Sequence, residues 1–117
     1  MINCVKESHQ QVACYLLYSA CEGHLTVVPQ NTAVISGSEL TLHCDTNTTT
    51  KLSWYFGRRQ VKIFNGFEIS QHLPRHSIRP PYDLLIGDVS LSDAGIYTCL
   101  HSKSHSANAE VVVLGKK

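Results

Sequence analysis

No apolar run in this 117-residue chain reaches the roughly 18–20 positions that a membrane-spanning helix needs. Charge is sparse and mixed. Ten Lys and Arg stand against nine Asp and Glu, a formal net of +1, and they are scattered, which is not the footprint of a nucleic-acid binder. Charged residues make up only 16% and hydrophobic ones 43%, which excludes a disordered chain and suits a single folded domain. There is no Gly-x-Ser-x-Gly elbow, no phosphate-cradling glycine loop and no visible pair of catalytic acids, so no enzyme is expected. Asp88 and Asp93 flank a turn and are explained by forming it. Of the seven histidines, His101 and His105 are four apart, but no Cys or carboxylate accompanies them at metal-ligand spacing. The histidines read as scattered surface and edge residues, and neither metal nor cofactor is expected. Arg58, Arg59 and Lys62 read as a solvated turn. Heptads, internal repeats and low-complexity tracts are absent too.

What is present begins with cysteine. Five in so short a chain point to an oxidising compartment. Cys4, Cys14 and Cys21 crowd the first 21 residues, while Cys44 and Cys99 stand far apart. Val12 to Cys21 has the length of a signal-peptide core and ends in the small residues Ser19-Ala20-Cys21. The preceding Met1 to Gln11 is a poor leader. Residues 1–21 are therefore read as a cleaved leader or an N-terminal extension. A helix is one form such an extension could take, since Val12, Tyr15, Leu16 and Ser19 fall at helical spacing. Residues 22–114 form the domain and 115–117 a tail.

From His24 onward, β-branched and aromatic residues alternate with polar ones, and turn residues recur every 8–12 positions or so, the pattern of an all-β sandwich or barrel. Strands are expected over Leu25 to Pro29, Thr32 to Ile35, Leu40 to Cys44, Leu52 to Phe56, Val61 to Phe64, Phe67 to Ser70 at an edge, Arg75 to Arg79, Tyr82 to Ile86, Ile96 to Leu100 and Val111 to Leu114. Asp45 to Lys51 and Ser102 to Ala107 read as loops, and Asn65-Gly66 as a hairpin turn. Leu40, Leu42 and Cys44, then Leu52, Trp54 and Phe56, then Tyr97 and Cys99 take the inward positions.

Cys44, Trp54 and Cys99 stand in the order and spacing of an immunoglobulin domain, and Asp93-Ala94-Gly95-Ile96-Tyr97-Thr98-Cys99 puts a tyrosine two residues before the second cysteine. The stretch Leu40 to Leu100 resembles the variable-type immunoglobulin superfamily. Within it, Pro74 to Ile78, Tyr82 to Ile86 and Ser92 to Cys99 resemble single-domain immune-type receptors of bony fishes. The resemblance implies an immunoglobulin-like Greek-key β-sandwich of the variable type. It implies a Cys44–Cys99 bond between the sheets beside Trp54, a tyrosine corner at Tyr97, and an ion pair between Arg75 and Asp93. Closing so long a loop contributes about 4 kcal/mol in the chain-entropy description. The last strand departs from rearranged antigen receptors, since Ala107 to Leu114 has no Phe-Gly-x-Gly bulge. That favours an innate or co-signalling kind of domain.

The expected function is recognition of a protein partner, or of a second copy, in immune recognition or cell adhesion, on a secreted or cell-surface chain. A spacer domain and a secreted decoy are the alternatives. Counting from Trp54 and Cys99, the residues Tyr55, Phe64, Ile96, Thr98 and Leu100 fall on the outward sheet face and form the candidate binding surface. The loop tips are the competing surface. Asn47-Thr48-Thr49 is a glycosylation sequon in one of them, and a glycan at Asn47 would favour the sheet face.

Overall fold

The structure is a computed structural model. It describes residues 3–6, 12–15, 25–70, 75–102 and 105–115, the first two segments as backbone only. Twelve strands are present among them: β1 (Asn3–Lys6), β2 (Val12–Tyr15), β3 (Leu25–Val27), β4 (Thr32–Ile35), β5 (Leu40–Leu42), β6 (Asp45–Thr46), β7 (Ser53–Phe56), β8 (Val61–Phe64), β9 (His76–Arg79), β10 (Asp83–Ile86), β11 (Gly95–Ser102) and β12 (His105–Leu114). One 3-10 turn, Leu91–Asp93, precedes β11.

Two sheets build the domain. One is five-stranded in the order β4-β12-β11-β7-β8, and the other is β5-β10-β9. The pair β3-β6 forms a further two-stranded ladder. All pairings are antiparallel except β4 with β12, which run parallel. The break between β3 and β4 falls at Pro29, which has no amide hydrogen for a ladder bond, so the chain leaves β6 and rejoins beside β12.

The two inner faces meet over Leu40, Leu42, Cys44, Leu52, Trp54, Ile63, Leu84, Ile86, Val89, Tyr97, Cys99, Ala109 and Val111, all at most 4% exposed. Cys44 and Cys99 are disulfide-bonded with their Cα atoms 6.5 Å apart. Trp54 is fully buried, and its indole N–H donates to the Tyr82 carbonyl at 2.7 Å, so the ring enters the core without an orphaned donor.

Several local expectations give way. Val12–Tyr15 is a strand paired with Asn3–Lys6, with Cys4 in register with Cys14, rather than a turn of amphipathic helix. The sequence positions around Leu16, Ser19 and Cys21 lie outside the described residues. The edge strand expected at Phe67 to Ser70 is reduced to one bridge, Phe64 with Ile69. Asn65 Oδ1 accepts from the amides of both Phe67 and Glu68 at 2.9 Å, which curls the segment away from a ladder. Of the loop expected from Ser102 to Ala107, the described Ser102 and His105 to Ala107 are strand, since β11 and β12 stay paired to Ser102 and His105. His76 is not a surface histidine: it lies on the outer strand β9 but is only 4% exposed.

Candidate functional site: the outer face of the five-stranded sheet

In a ladder, residues directly opposite one another project from the same face. Cys99 lies opposite Trp54 and Ala107, and Tyr97 opposite Phe56 and Ala109, so these point into the core. The alternate positions face out. Thr98 lies opposite Tyr55 on one side and Asn108 on the other, and Tyr55 lies opposite Lys62. A row Lys62–Tyr55–Thr98–Asn108 therefore crosses four strands. Leu100 sits one row away between Ser53 and Ser106, and Ile96 sits beside Glu110 on the other side.

Of the five residues expected on this face, Tyr55, Ile96, Thr98 and Leu100 lie there by register. Tyr55, Ile96 and Leu100 are half-buried. Thr98 faces out yet is only 4% exposed, and its hydroxyl donates to Asn108 Oδ1 at 2.8 Å. Thr98 thus supports its neighbours rather than offering surface. Phe64 is the correction. It lies opposite inward-facing Trp54, carries the bridge to Ile69 and packs against the core. The cause is a register shift between Trp54 and Tyr55. Lys62 pairs with Tyr55 but Phe64 with Trp54, which leaves Ile63 as an extra residue on β8. Such a bulge breaks the period of two, so Ile63 and Phe64 both turn inward.

The face continues where sequence reasoning did not extend it. Val112 lies opposite Ala33 and Leu114 opposite Ile35. Ile35 is 53% exposed, Val112 46% and Leu114 50%. Their alternates, Val34 and Val113, pack against the core. The signal was available by counting in twos along β12 from Ala109, but a continuous run of valines hides which member points which way.

The loop end is built on hydroxyls. Thr48 Oγ1 lies 3.3 Å from Thr46 Oγ1 and 3.2 Å from His101 Nε2, and it accepts from the Thr50 amide at 3.2 Å. Thr48 thereby ties the sequon loop to β11, and Asn47 itself is exposed. His101 and His105 meet edge to face with centroids 6.1 Å apart. Among the described residues no group of three or more His, Cys, Asp or Glu is placed to hold a metal ion, and no helix is long and apolar enough to cross a membrane. Lys51 Nζ sits 4.1 Å from the centroid of the Phe67 ring, on the hairpin side of the domain.

Below the sheet, the turn before β11 is fastened by charge. Arg75 Nη1 and Nη2 donate to Asp93 Oδ2 and Oδ1 at 2.6 and 3.0 Å, and Nη1 also donates to the Asp88 carbonyl at 2.9 Å. The Ser90 amide donates to Asp93 Oδ2 at 2.8 Å. Burial pushes the Asp93 carboxyl up, but the Arg75 fork, the Ser90 N–H and the nearby positive charge together hold it below its ordinary value. The Tyr97 hydroxyl donates to the Asp93 carbonyl at 2.7 Å. Burial, and then the Asp93 charge, push that phenol far above its usual value, so it remains a donor at any working pH.

With a disulfide across two β-sheets, a buried indole beside it and a tyrosine corner, the structure defines an immunoglobulin fold. Residues 24–102 match the family described as immunoglobulin domain, and the chain belongs to that family. It is 32% identical over 108 residues to protein sidekick-2 of Gallus gallus, a match that covers 88% of this chain. It covers only 5% of that relative, so the similarity is to one small part of a much longer protein. Among solved structures, the first immunoglobulin domain of mouse SynCAM 2 superposes with a TM-score of 0.69 at 27% identity, covering 81% of this chain and 99% of that one. The first immunoglobulin domain of Dpr1, solved bound to that of DIP-eta, gives 0.68 at 18% identity, covering 77% and 93%, which speaks to fold alone. The chain is a non-enzymatic immunoglobulin domain.

Proposed function

We propose that this domain recognises a protein partner in cell adhesion through the outer face of its five-stranded sheet. The observation that carries the reading is the cluster of half-buried Tyr55, Ile96 and Leu100, placed by register on one face around the Thr98–Asn108 bond. The face combines a tyrosine and aliphatic centre with the exposed polar residues Lys62, Asn108 and Glu110, the composition of an interface core and rim. The similarity to sidekick-2 and to the SynCAM 2 domain supports adhesion over the narrower reading of a fish-type immune receptor. The Cys44–Cys99 bond supports an extracellular setting, secreted or at the cell surface. An exposed Asn47 on a loop outside the face suits a glycan that leaves the face clear.

The test is binding of the domain, immobilised on beads, to itself and to a panel of immunoglobulin-containing ectodomains. The reading expects at least one pairing, lost on Tyr55→Ala combined with Leu100→Glu while the far-ultraviolet spectrum is unchanged. A spacer domain would give no pairing, or one that ignores both substitutions.

A further inference from the structure

His76 is the one titratable imidazole that the described structure seals into the core. It is 4% exposed, and its Nδ1 is buried with no hydrogen-bond partner among the described residues. Its ring stacks on that of Tyr97, with centroids 6.5 Å apart and planes 28° from parallel. It belongs to β9, which is the outermost strand of the three-stranded sheet and, among the described residues, pairs with β10 alone, His76 lying opposite Ile86.

This position suits a neutral ring and not a charged one. An imidazolium carries a proton on both nitrogens, and here the Nδ1 proton would point at no acceptor, a costly state for a buried charge. The charged and titratable neighbours are Asp93 from the 3-10 turn, Arg75 immediately before β9 and Tyr97 on β11. Asp93 would favour the cation, but its oxygens already accept from both Arg75 nitrogens and the Ser90 amide. Arg75 opposes a second positive charge. Tyr97 is neutral and donates away, to the Asp93 carbonyl. Asp93 offsets the charge only in part, and no described group packed around the ring accepts the Nδ1 proton in place.

We propose that His76 is an acid-sensitive latch on edge strand β9: neutral, it pins the strand against Tyr97; protonated, it leaves the core and β9 detaches from β10. An edge strand can do this without opening the rest of its sheet, because only one ladder breaks. The Arg75 fork on Asp93 immediately precedes the strand, so detachment loosens that grip as well. Burial holds the His76 ring below its ordinary value of 6.5. The sign follows from proton counting. Below about 6.5 the unfolded or detached chain binds a proton that the native core refuses, so stability falls as pH drops, by at most about tenfold in the opening constant per pH unit. The device lies in the sheet opposite the candidate binding face and stands independently of that face's function.

Two measurements on the folded domain test it. A nuclear magnetic resonance titration of the His76 ring is expected to show a midpoint below 6.5. Amide exchange at Ser77, Ile78 and Arg79, corrected for intrinsic rates, is expected to speed up severalfold more between pH 7.5 and 5 in the wild type than in His76→Phe or His76→Gln. A ring titrating at or above 6.5 overturns the latch. So does β9 protection in the wild type that does not change with pH, or that changes equally in the variants. Should either variant fold poorly, the wild-type ring titration and β9 exchange decide alone.

Discussion

Arg75 holds Asp93 by two bonds, Nη1 to Oδ2 at 2.6 Å and Nη2 to Oδ1 at 3.0 Å, across the base of the domain. The geometry is a fork on a carboxylate, which a point charge cannot reproduce. The Asp93 side chain is 6% exposed and that of Arg75 37%, so water reaches one partner only. Arg75→Met leaves a nearly buried carboxylate without its cation. After allowance for the exposure of Arg75, the expected loss is about 2–3 kcal/mol in urea unfolding, with Arg75→Lys recovering part of it. The pH dependence follows from the depressed Asp93 value. Its contribution is complete above the ordinary carboxylate value near 3.8 and is lost as pH falls through the lower folded value. The Arg75→Met protein should therefore show a flatter stability profile below pH 4 than the wild type.

Tyr97→Phe removes one oxygen. The ring still packs against Phe56, 4.5 Å away between centroids, but the Asp93 carbonyl loses its donor. About 1–1.5 kcal/mol of stability should go, with no change in the denaturant slope. An unchanged midpoint would mean that water replaces the hydroxyl.

Replacing both Cys44 and Cys99 by Ala opens a loop of sequence separation 55 and removes two fully buried sulfurs. A loss of about 2–5 kcal/mol is expected, large enough to unfold a marginal domain near body temperature. Thermal unfolding with and without reductant reads it directly.

Gly66 turns the hairpin with φ +88°, and a Cβ there would stand 2.8 Å from Lys51 Cβ. Gly66→Ala should cost about 1–2 kcal/mol from the left-handed backbone alone, and the contact adds to it. Gly87 meets nothing within 4 Å, so Gly87→Ala is the matched control and should be near neutral or mildly stabilising.

The core was legible in the sequence because its members answer to strict geometry. A bridge between Cys44 and Cys99, an indole beside it and a phenol two residues before the second sulfur leave few folds open. Alternation also placed Tyr55, Ile96, Thr98 and Leu100 on one face. It failed at Phe64, since a one-residue bulge at Ile63 carries no mark in a run of β-formers. It was silent on Ile35, Val112 and Leu114, where apolar residues on both faces erase the period of two. The burial of His76 had no signature either. It sits between Arg75 and Ser77 in a polar-looking stretch, and the ring of Tyr97 that stacks on it comes from the other sheet.

The claim on which the functional account rests is that the outer face of β7, β11 and β12 is where a partner sits. Residue-resolved amide exchange of the domain, free and saturated with a partner returned by the bead panel, tests it most directly. The account predicts new protection at Tyr55 and across Ile96 to Leu100, with the Asp45 to Lys51 loop unchanged. Protection confined to that loop, with Tyr55 and Leu100 exchanging as before, would contradict it.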